Sequence, residues 1–171
     1  MIFKHIDGVT VTANFALDGN LRYRYRLEIV RQQAAPTGKT VCVVMQNPSY
    51  AGEDRADKSV QFMEKVVCQK ELPEFSGVRR LIVVNQFALI QTNDFQGLPN
   101  EVGEFNDAAI RAALHESDIV ILGWGSANRF EDRKAFVLGL LAEMKSKTVF
   151  KTRMHPSRGR YKDFIQPYSI A

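Results

Sequence analysis

Four polar or aromatic side chains follow apolar stretches of the sequence, at positions where chemistry is expected. Asn47 follows the run TVCVVM and Asn85 follows LIVV, while Trp124 follows IVILG and His155 lies shortly beyond TVF. Carboxamide and imidazole groups donate and accept hydrogen bonds, so they can hold a water molecule or a leaving group. In an open parallel sheet, ligands bind outside the carboxyl ends of the strands. If the apolar runs are strands of such a sheet, these side chains meet at one of its edges.

The segment 40–51, TVCVVMQNPSYA, shows this pattern most fully. Its first half is apolar and mostly β-branched, which indicates a strand buried on both faces. Pro48 has no backbone N–H and cannot continue a sheet, and it pushes Asn47 toward extended geometry. Asn47 therefore stands in a polar turn at the strand end. Its side chain can serve a site there, or it can bond the local backbone as an ordinary turn residue.

The other strand ends also allow two interpretations each. Asn85 can bind a ligand or cap the end of its strand, and Trp124 can contact a ligand or pack against the core. His155 lies in a polar, basic loop, which favours a functional role. The remaining candidate contacts near these strand ends are serine, aromatic and arginine side chains: Ser49, Tyr50, Phe87, Ser157, Arg158 and Arg160.

Charged residues outside these loops leave further alternatives open. Strict alternation places Arg22, Arg24 and Arg26 on one face of a predicted strand. That face suits phosphate contacts, or it is the solvated face of an edge strand that discourages aggregation. Asp54 or Asp57 can cap the helix predicted to begin near residue 60. Either carboxylate can instead reach the site as a base or a metal ligand.

Length and composition are those of an ordinary soluble globular protein. The chain has 171 residues, of which 45% are hydrophobic and 25% charged, so we predict one domain with a substantial core. No apolar run approaches the ~20 residues that a membrane-spanning helix needs. The N-terminus lacks a signal-peptide layout, and we therefore expect a cytoplasmic protein. A formal net charge of +4 permits a polyanionic partner without requiring one.

Several familiar motifs do not fit this sequence. Gly38-Lys39-Thr40 resembles the end of a Walker A motif, but Gln33 stands where that motif needs glycine, and a strand follows instead of a helix. We find no metal-ligand cluster, no GxSxG turn and no GxGxxG turn, and we predict neither a metal nor a cofactor. Cys42 and Cys68 lie in apolar surroundings, and we interpret both as buried thiols.

The order of the predicted elements indicates an α/β fold. We predict a single domain over 1–171, with an antiparallel N-terminal extension over 1–38 that forms a β-hairpin, and a core over 39–171. The core is a three-layer αβα arrangement with a central, mainly parallel four-stranded sheet. A polar loop over 92–103 is long enough to cover a site, and we predict a short turn or helix in the tail over 163–171. The predicted core strands are 41–45, 81–84, 118–122 and 148–150, and the predicted helices are 60–70, 103–116 and 129–145.

The set of strand-end motifs resembles the family named domain of unknown function 1643 (DUF1643), over roughly residues 22–160. The first loop of that family usually reads LNPS followed by a D-P-T or D-K-T segment, and here it reads QNPS followed by Asp57-Lys58-Ser59. Its second strand usually ends in NLFA, and here it ends in NQFA at residues 85–88. This resemblance brings no established activity with it.

A more distant similarity is to the uracil-DNA glycosylase superfamily. Its members have the same order of motifs: a catalytic loop after the first strand, Asn after the second, LWG at the third, and HPS or NPS in the last loop. The mismatch-specific branch has GINPG in the first loop, which the segment 45–49, MQNPS, resembles. The similarity implies a uracil-DNA-glycosylase-like fold.

The same similarity implies roles for individual residues. Asn47 would orient a water molecule at the sugar carbon, and His155 would donate a hydrogen bond to the base oxygen on which negative charge develops. Asn85 would contact the edge of a flipped base. The remaining implied contacts are stacking on the base by Tyr50 or Phe87, phosphate binding by Ser49 and Ser157, and insertion into or contact with the duplex by Arg158 and Arg160.

The predicted function is hydrolysis of the N-glycosidic bond of a modified or non-standard base in nucleic acid, with DNA favoured over RNA. One alternative is a hydrolase or transferase that acts on free nucleosides or nucleotides. Another is a binding module for nucleic acid or nucleotides that keeps the fold without the chemistry, because fold alone does not determine function. The sequence leaves the base, the strandedness and the oligomeric state open.

Overall fold

Seven strands and four α-helices form the regular framework of the part of the chain that the structure describes. The computed structural model describes residues 2–91, 93–160 and 162–170. Thr92, the first residue of the predicted loop, and Ala171, the last of the predicted tail, lie outside the described residues. The strands are β1 (Val9–Asp18), β2 (Leu21–Arg31), β3 (Lys39–Met45), β4 (Val78–Asn85), β5 (Ile119–Leu122), β6 (Thr148–Thr152) and β7 (Ile165–Pro167). The helices are α1 (Lys58–Cys68), the short α2 (Pro99–Val102), α3 (Asn106–Glu116) and α4 (Glu131–Glu143).

The strands form one mixed sheet in the order β1-β2-β4-β3-β5-β6-β7. The four central strands, β4, β3, β5 and β6, are parallel, so their carboxyl ends share one edge. Strands β1, β2 and β7 are antiparallel additions at the two sides. The predicted α/β class is confirmed, whereas the predicted number of four strands in the sheet is wrong.

The three additional strands come from segments that the sequence analysis placed outside the sheet. The predicted hairpin at the N-terminus does form, but its second strand pairs with β4, with Leu27 opposite Val83 and Ile29 opposite Leu81. Both Leu27 and Ile29 are fully buried. The tail, predicted as a turn or helix, instead contributes β7, which pairs with the end of β6. The hairpin is therefore part of the sheet and of the core.

Side chains of β3 alternate between the two faces of the sheet, as expected for a strand buried on both sides. Val43 belongs to the cluster that includes Met63 of α1. Val44 belongs to a second cluster, which includes Ile110 of α3 and Val137 of α4. Helices thus pack on both faces, and the parallel strands lie between two apolar layers.

The two cysteines have no disulfide partner and lie in these apolar layers. Cys42 is buried and Cys68 is half-buried. Burial raises the pKa of the Cys42 thiol to about 12 and that of Cys68 to about 11. Both thiols are therefore protonated at neutral pH and poor nucleophiles. None of the helices in the described part of the chain is long and apolar enough to cross a membrane.

Candidate functional site

A cleft of about 560 Å³ lies at the carboxyl edge of the parallel strands. Its walls come from the loops after β3, β5 and β6, from the first turn of α1, and from β2. Among the predicted site residues, those that line it are Asn47, Ser49, Tyr50, Trp124, His155, Ser157 and Arg158. Three of the four predicted strand ends thus meet in one place.

Asn47 bonds the local backbone, as a turn residue does, and also lines the cleft. Its side-chain Nδ2 donates to the backbone carbonyl of Gln91 at 2.9 Å and to that of Pro48 at 3.4 Å. Its Oδ1 accepts from the Gln46 side chain at 3.3 Å. A carbonyl oxygen has two acceptor positions, so one remains for a ligand or a water molecule. The backbone bonds fix the direction of a carboxamide that also lines the cleft.

His155 is held by the residue two positions later. Its Nδ1 accepts from the backbone N–H of Ser157 at 3.1 Å, and the Ser157 hydroxyl lies 3.0 Å from the same nitrogen. A backbone N–H can only donate, so Nδ1 carries no proton and the neutral ring carries its proton on Nε2. Among the described residues none accepts from Nε2. His155 therefore presents an N–H donor that is available to a ligand in the cleft.

The electrostatic surroundings keep His155 neutral. Burial is the main cause that lowers its pKa below the ordinary value, and the positive charge of Arg158 lowers the pKa further. The negative charge of Asp57 acts in the opposite direction without reversing the shift. At neutral pH the ring is thus an uncharged hydrogen-bond donor, which suits an acceptor atom that gains negative charge.

Asp57 caps α1, as one of its two interpretations predicted, and it also lines the cleft. One carboxylate oxygen accepts from the backbone N–H of Val60 at 2.8 Å, so Asp57 is the N-cap of α1. The residue also lines the cleft, although it is only 8% exposed. Asp54 is exposed and is not among the lining residues. The helix cap therefore places a carboxylate in the same cleft as Asn47 and His155.

Arg24 is the lining residue that sequence reasoning placed wrongly. The interpretation as a solvated edge-strand face fails for this residue, because β2 lies between β1 and β4 and Arg24 is 1% exposed. Its guanidinium donates to the carbonyl of Ala51 at 3.0 Å and to Oδ1 of Asn85 at 3.1 Å. Arg22 and Arg26 follow the predicted alternation and are exposed and half-buried, respectively. No sequence signal distinguishes Arg24 from these two neighbours.

The two aromatic residues of the cleft have other contacts as well. Trp124 is half-buried and packs against the apolar cluster beneath α3 and α4, as its packing interpretation required. Tyr50 is half-buried, with the guanidinium of Arg55 4.6 Å from its ring centroid. Both rings still line the cleft and can contact a flat ligand.

Three predicted site residues lie outside the cleft. Asn85 is buried at the end of β4, where its side chain accepts from Arg24. Phe87 is 2% exposed and packs edge-on against Phe95 and Phe130, with ring centroids 5.1 and 5.0 Å away. Arg160 is exposed and does not line the cleft. Asn85 thus supports the site from beneath, through Arg24.

The comparison with protein families gives one match. The model of the family described as "Protein of unknown function (DUF1643)" matches residues 24–159. This range begins at Arg24 and includes all the described residues that line the cleft. No curated protein matches the chain. No solved structure matches it either.

Proposed function

The chain belongs to the DUF1643 family, and from this premise we propose that it is an enzyme that hydrolyses the N-glycosidic bond of a nucleotide unit in nucleic acid. The observation that carries the proposal is the meeting of Asn47, Asp57 and His155 in one cleft at the carboxyl edge of the sheet. A carboxamide, a carboxylate and a neutral imidazole N–H are together suited to this reaction, in which opposite charges develop on the two leaving fragments.

Asp57 and Asn47 act on the sugar side of the N-glycosidic bond, and His155 acts on the departing base. As the bond breaks, positive charge develops on the sugar, and the carboxylate of Asp57 stabilises it. Asn47 orients a water molecule at the sugar carbon, and Asp57 accepts its proton while the oxygen forms the new bond. The departing base keeps the electron pair, and Nε2–H of His155 donates a hydrogen bond to the atom on which the charge accumulates. The base then takes up a proton from solvent and Asp57 releases the water proton to solvent, which completes the hydrolysis.

Exposed arginines near the cleft support a polyanionic substrate. Arg158 lines the cleft. Arg153 and Arg160 lie close to Arg158 in sequence, in the segment that follows β6. Arg55, next to Tyr50, adds another exposed cation. Lys and Arg contacts to phosphates supply most of the sequence-independent affinity for nucleic acid. DNA is the polymer that we would test first.

The experiment is a base-release assay. The protein is incubated with single- and double-stranded oligonucleotides that carry uracil, hypoxanthine, mismatched thymine or modified bases, and free base and abasic sites are measured. Asn47→Ala, Asp57→Asn and His155→Ala are each expected to lower the rate ~100-fold or more while the protein stays folded. His115→Ala is the control, because His115 is exposed at the end of α3. Normal turnover by all three variants would refute the proposed site.

A free nucleoside or nucleotide is the second candidate substrate. The observation in its favour is the cleft volume of about 560 Å³, which is the size of a typical small-molecule site. The same assay distinguishes the two, with nucleosides and nucleotides as additional substrates. Salt-dependent binding of an oligonucleotide without release of any base would instead favour a binding module.

A further inference from the structure

Arg24 is a buried cation without an ion-pair partner among the described residues. Two of its N–H groups are used by Ala51 and Asn85, and both of these acceptors are uncharged groups. The Nε atom is buried and has no hydrogen-bond partner. Burial lowers the pKa of the guanidinium to about 10, and the charge of Asp57 partly opposes this. Buried charges in proteins are normally paired, so this arrangement calls for an anion.

The first turn of α1 lines the same cleft and has unused donors. The first N–H groups of a helix have no acceptor within the helix, and the positive end of the helix dipole lies there. Asp57 takes the N–H of Val60, which leaves those of Lys58 and Ser59 without an intrahelical acceptor. The side chains of Lys58 and Ser59 also line the cleft, and Lys58 is exposed.

The charges of the cleft add up to an excess of positive charge. The charged side chains among its described lining residues are Arg24, Lys58 and Arg158, which are cations, and Asp57, the single carboxylate. His155 is neutral at pH 7 for the reasons given above. The excess corresponds to the charge of a phosphate monoester, which is about −2 at neutral pH. Phosphate is also a ligand that helix N-termini commonly bind.

We propose that this part of the cleft is an anion subsite, in which Arg24, Lys58, Ser59 and the first turn of α1 bind a phosphate group of the substrate nucleotide. The proposal deepens the proposed function and rests on it for the identity of the substrate. Arg24 has a double role: it joins the loop after β3 to the end of β4, and it supplies the charge at the bottom of the subsite. The phosphate belongs to a free nucleotide or to a nucleic-acid strand, and the experiment distinguishes these sources.

The test measures binding by isothermal titration calorimetry, without any turnover. The probes are thymidine, thymidine 5′-monophosphate, inorganic phosphate and a single-stranded hexathymidylate. The monophosphate is expected to bind at least ~10-fold more tightly than thymidine. Arg24→Met is expected to weaken the binding of phosphate-containing probes ~30-fold or more, and Lys58→Ala ~3-fold, because Arg24 is buried and Lys58 is exposed. Lys145→Ala removes an equal charge at an exposed position after α4 and is expected to bind like the wild type.

The four probes also identify the source of the phosphate. If Lys58→Ala weakens the binding of the monophosphate and of inorganic phosphate but not that of the hexathymidylate, the subsite binds the terminal phosphate of a free nucleotide. The reverse pattern assigns it to a strand phosphate. Equal affinities for thymidine and all phosphate-containing probes, or unchanged binding by both variants, would overturn the subsite. If Arg24→Met does not fold, as judged by circular dichroism, the test is the comparison of Lys58→Ala with Lys145→Ala in their affinities for the phosphate-containing probes.

Failure of the subsite differs visibly from failure of the proposed function. Phosphate-dependent binding that both variants weaken, combined with no release of any base, would keep the subsite and reject the hydrolysis. Base release that is equally fast for nucleosides and nucleotides, and unaffected by Lys58→Ala, would keep the hydrolysis and reject the subsite.

Discussion

At the scale of single residues, the hydrogen bond between Ser157 and His155 sets which proton the imidazole can offer. The backbone N–H of Ser157 needs an unprotonated Nδ1, so a second proton on the ring breaks this bond. Protonation of His155 is therefore unfavourable in the folded protein, in agreement with the lowered pKa, whose main cause is burial. Protonation of Nδ1 thus removes the backbone hydrogen bond that holds the ring in its loop.

This leads to a pH prediction for His155. Its folded-state pKa lies below the ordinary 6.5, so just below pH 6.5 the unfolded chain binds more protons than the folded one. The contribution of His155 to the free energy of unfolding therefore decreases as the pH falls below about 6.5 and is constant above it. Urea unfolding of the wild type and of His155→Gln at pH 7.5 and 5.5 measures this. A stability difference between the two proteins that is the same at both pH values would contradict the prediction.

Asn47 and His155 could be predicted as neighbours because each follows an apolar strand and parallel strands end at a common edge. The placement of Arg24 could not be predicted in this way. Alternation gives it the same face as Arg22 and Arg26, whereas in the fold it is buried and its guanidinium donates to the carbonyl of Ala51, which is 27 residues away in sequence. Asp57 remained ambiguous for a related reason, since one side chain both caps α1 and lines the cleft.

At the scale of elements, the N-terminal segment connects the loop after β3 to α1. His5 donates from Nε2 to the carbonyl of Gly52 at 2.6 Å, and its Nδ1 lies 2.5 Å from the carboxylate of Glu64. Glu64 is fully buried on α1 and also accepts from the backbone N–H of Ile6 at 3.2 Å. The loop that contains Asn47 and the helix that begins at Lys58 are thus tied together through one imidazole.

We expect this connection to depend on pH. Burial alone would lower the pKa of His5, but its hydrogen bonds with Glu64 and Gly52 outweigh that effect and raise the pKa above 6.5. The stabilisation is therefore complete below pH 6.5 and is lost as the pH rises through the folded-state pKa. His5→Ala is expected to cost about 1–3 kcal/mol at pH 6, because it leaves Glu64 buried without this partner.

Urea unfolding between pH 5.5 and 8.5 measures the effect of His5→Ala. The difference in unfolding free energy from the wild type should shrink as the pH rises across this range. His115→Ala is the matched control, since His115 is exposed and its substitution should change stability by about 0.5 kcal/mol or less. An equal cost for the two substitutions at pH 6 would show that the His5 connection does not stabilise the fold.

The central strands and the long helices could be predicted because their apolar spacing is regular. The helix predicted over 129–145 is α4, at Glu131–Glu143, and that predicted over 103–116 is α3, at Asn106–Glu116. The joining of β2 to β4 could not be predicted, because pairing between distant strands leaves no periodic signal in either strand. The short β7 has only three residues, too few for an alternating pattern to be visible.

At the scale of the whole molecule, the N-terminal hairpin is expected to be indispensable. A chain shortened to residues 39–171 lacks Leu27 and Ile29, which are fully buried, and turns β4 into an edge strand whose residues 80–83 have lost their partners in β2. We expect no cooperative thermal unfolding transition for it by circular dichroism. A chain that ends at residue 164 is the comparison, because it loses β7 and the half-buried Tyr168 and Ile170 but no fully buried residue among those described, and it should still unfold cooperatively at a lower temperature. A cooperative transition of the 39–171 chain would show that the core folds alone.

The bond between Arg24 and Asn85 has a consequence for the order in which the protein is made. The two residues are 61 positions apart, so a ribosome delivers the hairpin long before the strand that it must join. Until β4 emerges, β2 has β1 as its only neighbour among its final partners in the sheet. The cleft is therefore assembled late in synthesis, and a protein whose hairpin has not yet paired with β4 lacks Arg24 at the bottom of the cleft. Ligand binding would thus report completed folding.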